Sequence, residues 1–249
     1  LPVLIAGESG TGKSLIARVI HSYSDRRSLP FIVAGAAEID EIDAIGGFLD
    51  TAEGGTFLFD EVGDLSPAAQ ARLVRALDAL DLRAPRLLAT TQQNLAAAVK
   101  SGAFRADLYY RLSAVALEVP PLCARIDDIA LLAQHFLVGL DADTGAGKRL
   151  GAGAVEQMRK YVWPGNVRQL ENIVRRLAVT CPQEVIGESD ISAALGPADD
   201  TPGMRENQGH ENLSESIGRH LERYFVLHGD VLPPNGLYGR ILHEMERPL

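Results

Sequence analysis

Gly7-Glu8-Ser9-Gly10-Thr11-Gly12-Lys13-Ser14 is the stretch that decides the fold, standing between the apolar residues Leu1, Val3, Leu4, Ile5 and Ala6 and a helical pattern carried by Leu15, Ile16, Val19 and Ile20. It satisfies G-x-x-x-x-G-K-[ST] in full, the P-loop signature. The apolar run reads as a buried strand, and the pattern after the loop reads as a helix that opens on Lys13. Backbone N–H groups and a helix N-terminus then converge on one anion. The glycines let the backbone curl around a polyphosphate. Lys13 can reach its terminal phosphates and the Ser14 hydroxyl can ligate Mg²⁺. Gly7, Glu8, Ser9, Gly10, Thr11, Gly12, Lys13 and Ser14 are therefore the expected nucleotide-binding residues, against the bland reading of a glycine-rich strand-to-helix turn.

Thr56-Phe57-Leu58-Phe59-Asp60-Glu61 has the form of the second half of a hydrolytic site, an apolar strand that ends in two adjacent carboxylates. Each carboxylate needs its own task. Asp60 would hold Mg²⁺ through water, with Ser14 as the other metal-side oxygen, and Glu61 would polarise the attacking water. Asp-Glu alone would more often be a solvated strand end; the P-loop before it changes that balance.

With these two motifs the chain resembles the central AAA+ ATPase domain of bacterial enhancer-binding transcription activators, of the nitrogen regulator C (NtrC) type of response regulator. The resemblance runs nearly the whole length. It also rests on Gly54-Gly55-Thr56, on Phe104-Arg105-Ala106-Asp107-Leu108-Tyr109-Tyr110-Arg111-Leu112, on Pro120-Pro121-Leu122 with Asp127-Asp128-Ile129, and on Trp163-Pro164-Gly165-Asn166-Val167-Arg168-Gln169-Leu170-Glu171-Asn172. The resemblance implies ATP or ADP with Mg²⁺ as ligands and a homo-oligomer between dimer and ring. It places Arg105 and Arg111 as arginine fingers that reach into the neighbouring subunit's site, where a guanidinium can neutralise charge on the γ-phosphoryl group. Arg168 matches the sensor II arginine, and Gln92 stands at the sensor I asparagine. Without the motif around it, either finger would read as an ordinary surface arginine.

Composition agrees with this class. Of 249 residues 46% are hydrophobic and the formal net charge is −9, enough apolar material for one large or two modest cores. Cys123 and Cys181 show no paired spacing, and no signal peptide or 18-residue apolar span is present, so a cytoplasmic setting without membrane attachment is expected. The six histidines lack metal-ligand spacing. Gly145-Ala146-Gly147-Lys148 imitates a second phosphate loop, but Arg149 stands where Ser or Thr is required, and it reads as an inter-helix loop.

The fold class expected is α/β, a P-loop AAA+ domain with a parallel sheet flanked by helices, then a small helical lid and a C-terminal helical segment. Strands are expected at Leu4–Ala6, Phe31–Ala34, Thr56–Phe59, Arg86–Thr90 and Ala114–Val119. Residues 1–126 form the nucleotide-binding part. Residues 127–195, helical in period throughout, form the lid, with helices at Ile129–Leu140, Ala152–Tyr161, Val167–Thr180 and Glu188–Leu195. Residues 196–212 are a Gly-, Pro-, Asp- and Asn-rich linker. Residues 213–249 resemble the start of a Fis-like dimerisation region that stops before a helix-turn-helix. Nine Asp or Glu stand against five Lys or Arg from 196 to 249, so no DNA-binding electrostatic face is expected there. In the intact protein the resemblance implies an upstream receiver domain served by a sensor kinase, a downstream DNA-binding helix-turn-helix and an RNA polymerase holoenzyme as partner.

Departures from the family narrow the reading. Only sixteen residues separate Ala37 from Gly54, with none of the G-A-F-T-G-A signature by which such activators touch sigma-54, and Leu77 to Arg83 runs almost at once into the Arg86 strand, leaving no room for the family's pre-sensor hairpin. Gly35 stands where the family has an asparagine that restrains the glutamate of the Walker B motif, here Glu61 of Thr56–Glu61, and Cys123 replaces a basic residue. The expectation is retained ATP binding, slow hydrolysis, and output through a housekeeping-sigma polymerase in place of sigma-54 remodelling. The competing reading is a mechanochemical ATPase, a divergent sigma-54 activator or another remodeller, whose turnover is essential.

Overall fold

The structure is a computed structural model; it describes residues 1–41, 45–80, 84–144 and 147–195, which fall in one compact unit. The expectations for 196–212 and 213–249, and part of the loop at 145–148, lie outside the described residues.

Five strands form one all-parallel sheet in the order β2-β3-β4-β1-β5: β1 Val3–Ala6, β2 Phe31–Gly35, β3 Thr56–Asp60, β4 Arg86–Thr91 and β5 Val115–Glu118. The connection from β1 to β2 crosses the sheet in the opposite direction to those that follow. Parallel crossovers are right-handed, so that one connection puts its helix on one face and the others put theirs on the opposite face. Among the described residues, helix α1, Lys13–Ser22, is the one connecting helix on the first face. On the other lie α2 Ala36–Glu41, α3 Ile45–Asp50, α4 Pro67–Asp78, α5 Leu95–Ser101 and α6 Ala106–Leu112. Strand pleating divides the side chains accordingly. Phe57 and Phe59 pack with Leu73, Leu77 and Leu108, whereas Leu58 packs with Val3, Ile5, Leu88 and Ala17. Cover on both faces explains why β3 is an unbroken apolar run and not an alternating one.

One expectation needs correction here, the place of Leu1 in the buried strand, and the buried face of α1 is a finding of the structure. Leu1 is 89% exposed and lies before β1. The face of α1 turned to the sheet carries Lys13, Ala17 and His21, at i, i+4 and i+8, while Leu15 and Val19 are exposed. Because the loop delivers Lys13 inward, the rest of the buried face is set by helical spacing from that residue. His21 is satisfied by Thr56 at the foot of β3, its Nδ1 lying 2.9 Å from the Thr56 hydroxyl.

The lid comprises α7 Asp128–Thr144, α8 Ala152–Lys160, α9 Asn166–Thr180 and α10 Glu188–Leu195 around its own core, with Trp163 at the centre. Trp163 donates its indole N–H to the Met158 carbonyl at 2.7 Å. Helix α9 buries Leu170, Ile173, Val174, Leu177 and Ala178 on one stripe. The lid is not helical throughout: β6, Arg149–Leu150, pairs in parallel with β7, Val185–Ile186. Pairs this short leave no alternation to read. Lys148 belongs to the lid, donating to the carbonyls of Cys181 and Gln183 at 2.6 and 2.7 Å.

Candidate nucleotide site

The site assembles at the carboxyl ends of β1, β3 and β4, where open α/β sheets bind ligands. From Ala6 the chain enters the loop, and Gly12 (φ +101°) begins α1 with no side-chain cap. Gly10 (φ +76°) is also left-handed, and a Cβ there would lie 2.4 Å from the Gly165 carbonyl oxygen of the lid. Neither position accepts a side chain without strain.

Lys13 is 6% exposed and all three of its ammonium donors are engaged. It donates to the carbonyls of Gly7 and Glu8 at 2.9 and 3.2 Å and pairs with Glu61 Oε1 at 2.9 Å. Ser14 donates to Asp60 Oδ1 at 3.3 Å. Two hard oxygens, a hydroxyl and a carboxylate, thus face each other at the start of α1, a donor set that suits Mg²⁺. Glu61 sits in left-handed backbone (φ +56°), and its Oε2 accepts the Gln92 N–H at 2.8 Å. Gln92 thus meets Glu61 through its backbone. Gly35 pairs with Asp60 across the sheet, and a Cβ there would touch nothing within 4 Å.

Arg105 and Arg111 stand apart from this cluster. Arg105 makes a two-pronged pair with Asp107, Nε to Oδ1 at 3.0 Å and Nη2 to Oδ2 at 2.7 Å. That hydrogen bonding and the opposite charge raise the Arg105 pKa and hold the Asp107 carboxyl below its ordinary value. Arg111 pairs with Asp78 at 2.5 Å. Both arginines are more than a third exposed. Arg168, at the start of α9, lies with Nη1 3.5 Å from the Ser9 hydroxyl.

Four residues outside the expected set hold the site together. Thr90, fully buried on β4, donates to Asp60 Oδ1 at 2.6 Å and accepts the Glu61 N–H at 2.9 Å. Gln70 accepts the Arg105 N–H at 2.9 Å and donates to the carbonyls of Leu65 and Ala103, fixing the segment that carries Arg105. Arg125 donates from Nη2 to the Thr11 carbonyl at 2.8 Å. Asn166, 1% exposed, reaches Glu8, Ser9 and Leu122. Of the four, Asn166 stands inside the quoted motif at 163–172, with no role read for it there. The other three depend on pairing between distant segments.

Comparison with known proteins agrees with this geometry. Residues 1–122 match the family model of the sigma-54 interaction domain and residues 124–208 that of the AAA+ ATPase lid domain. The chain is 42% identical over 280 residues to the DNA-binding transcriptional regulator NtrC of Azospirillum brasilense, covering 100% of this chain and 58% of that protein. It is 36% identical over 252 residues to the sigma54-dependent transcriptional regulator SfnR of Pseudomonas fluorescens, covering 90% of this chain and 67% of that protein. Among solved structures, NtrX from Brucella abortus in complex with ATP superposes with a TM-score of 0.69 at 29% identity, over 91% of this chain and 56% of that chain. The chain therefore spans little more than half the length of several proteins it matches.

Proposed function

We propose, from the premise that this chain belongs to the NtrC-type family of transcriptional regulators built on the sigma-54 interaction domain, that it is the ATP-binding, self-associating core of such a regulator. The observation that carries this reading is the convergence of Lys13, Ser14, Asp60 and Glu61 on the loop Gly7–Ser14, within 3.3 Å of one another pair by pair. The loop N–H groups and the α1 N-terminus bind the phosphates, with Lys13 as the point charge on the terminal ones. Ser14 and Asp60 hold Mg²⁺, which when bound neutralises charge on the phosphate oxygens. Arg168 reads the nucleotide from the lid, and Arg105 and Arg111 serve the site of the next subunit.

Hydrolysis in this reading is slow. Glu61 has Oε1 on Lys13 and Oε2 on the Gln92 N–H. These contacts orient the carboxylate and leave lone pairs that can still accept from a water; the slow turnover in this reading rests on Gly35 and Gln92 standing where the family has asparagines.

Output through a housekeeping-sigma polymerase is the finer part of the proposal. It is supported by the missing G-A-F-T-G-A signature and by the alignment to the Azospirillum regulator, which runs over 280 positions for 249 residues, so that the relative carries residues in this span that the chain lacks. The residues at issue, 42–44 between α2 and α3 and 81–83 before β4, lie outside the described residues. The second reading, a working sigma-54 activator, is favoured by the family match itself.

Isothermal titration with Mg-ATP tests the core claim: binding in the parent and its loss in Lys13→Ala are expected, and equal affinity in the two would remove the P-loop assignment. Reconstituted transcription with the intact regulator separates the two outputs. Glu61→Gln is expected to keep activation while Lys13→Ala loses it, and ATP-dependent open-complex formation at a sigma-54 promoter would decide for the second reading.

A further inference from the structure

We propose that Asn166, a lid residue, positions the phosphate loop by a buried three-way hydrogen-bond latch, so that the lid is a structural part of the phosphate cradle; this rests on the nucleotide-binding reading above. The amide of Asn166 has one acceptor and two donors, and all are matched. Oδ1 accepts the Leu122 N–H at 2.7 Å, and Nδ2 donates to Glu8 Oε2 at 2.9 Å and to the Ser9 carbonyl at 3.0 Å. Asn166 is 1% exposed and in left-handed backbone (φ +51°), a conformation Asn adopts more readily than most residues. It touches the loop, the strap at Leu122 and its own helix, but no atom that a phosphate would occupy.

The latch is one part of a wider arrangement. The four residues between the signature glycines each place their carbonyl on a protein donor, and the carbonyls of Ser9, Gly10 and Thr11 face donors outside the loop. The Glu8 carbonyl takes Lys13 and the Thr11 hydroxyl, Ser9 takes Asn166, Gly10 takes the Arg168 N–H at 3.2 Å, and Thr11 takes Arg125 at 2.8 Å. Three of the four carbonyls, those of Ser9, Gly10 and Thr11, are held by donors from the lid or the strap leading into it. Since a peptide's N–H points opposite to its carbonyl, carbonyls held outward keep the N–H groups turned in toward an anion. Loop geometry and lid position are then one equilibrium: ordering either orders the other, and a nucleotide that needs the cradle pulls on the lid.

Asn166→Asp tests the latch, because it keeps shape and volume while replacing the donor pair by a carboxylate that faces the Glu8 carboxylate and the Ser9 carbonyl. Loss of a buried bond to a charged group, with repulsion in its place, is expected to weaken binding of a fluorescent ADP analogue by about tenfold or more. Adding Glu8→Gln restores a donor against the new acceptor and is expected to recover affinity to within about fivefold of the parent. Hydrogen exchange of the Gly7–Gly12 amides without nucleotide supplies a readout independent of binding: faster exchange is expected in Asn166→Asp, with protection returning in the double variant. Should Asn166→Asp not fold, Glu8→Ala, at an exposed position, breaks the latch from the loop side and is expected to raise the same exchange. Unchanged loop exchange in the single variants, or a double variant no better than Asn166→Asp, overturns the proposal. A parent that binds no nucleotide yet shows the exchange pattern would overturn the ATP reading and leave the latch standing.

Discussion

Thr90→Val is the substitution whose outcome the site geometry determines most closely. The two side chains have nearly the same shape, so no cavity opens, and the whole effect comes from one hydroxyl. That hydroxyl donates to Asp60 Oδ1 at 2.6 Å and accepts the Glu61 N–H at 2.9 Å, with the residue fully buried. Without it, the Glu61 N–H is left unpaired at a cost of about 1–3 kcal/mol, and the hydrogen bond to a charged carboxylate, about 1.5–3 kcal/mol, is lost as well. Asp60 is only half-buried and keeps its contact with Ser14 at 3.3 Å, so water restores part of the second term. A net destabilisation of about 2–4 kcal/mol is expected, which for a domain of this size lowers Tm by roughly 4–16 °C. Thr90→Ser keeps both hydrogen bonds and loses one methyl, about 1 kcal/mol. Thermal unfolding followed by circular dichroism on the three proteins measures the order directly. A valine variant that melts within about 2 °C of the parent, or above the serine variant, would refute the role assigned to this hydroxyl.

Two further outcomes follow from the same geometry. Nucleotide is expected to promote self-association, measured by light scattering with a non-hydrolysable ATP analogue, and Arg105→Ala or Arg111→Ala is expected to weaken that response while leaving the monomer's affinity unchanged; equal loss of monomer affinity would mean that these arginines act within their own subunit. Gly10→Ala and Gly12→Ala share the cost of left-handed backbone, about 1–3 kcal/mol, but only at Gly10 would the new Cβ strike the lid, 2.4 Å from the Gly165 carbonyl; Gly10→Ala is therefore expected to melt lower than Gly12→Ala, and the reverse order would argue against lid docking on the loop.

The parts of this site that sequence reasoning reached are those held in local spacing. The loop glycines, Lys13, Ser14, Asp60 and Glu61 are legible because strand, turn and helix N-terminus follow one another within a few residues. The central strands β1, β3 and β4 were legible from apolar runs that are buried on both faces, whereas β5, exposed along its whole length, was legible only as an apolar run. The exposed Leu15 and Val19 were not, because hydrophobic periodicity assumes that the apolar face is the buried one. In α1 the inward Lys13 makes Lys13, Ala17 and His21 the buried face instead. Thr90 gave no signal at all: a threonine in a strand is ordinary, and its meaning arises only because parallel register sets it beside the end of β3. Asn166 was visible within its motif, yet its partners Glu8 and Ser9 are 158 and 157 positions away in sequence.

The arrangement of these contacts also bears on how the chain can differ from its relatives without losing its nucleotide chemistry. Every described side chain that hydrogen-bonds or pairs with the loop or the two carboxylates lies in the loop itself, in the first turn of α1, at the end of β3 or β4, in the strap at Leu122 to Arg125, or at the start of α9. None lies between Ala36 and Gly55 or between α4 and β4. The segment that enters the first of these connections has a structural task of its own: Asp40 Oδ1 accepts the Ser66 hydroxyl at 2.6 Å, and Arg72 donates to the Asp40 carbonyl at 2.7 Å, tying α2 to the start of the helix that follows Walker B. Among the described residues of that connection, none after Asp40 bonds to the cap of α4 or to the phosphate loop. Nucleotide binding and any element that projects from those two connections are separable by construction. A nucleotide-driven change in such a chain can still reach the lid through Asn166, Arg168 and Arg125. On the reading proposed above, that route is the one by which nucleotide would set lid position and, through it, subunit assembly.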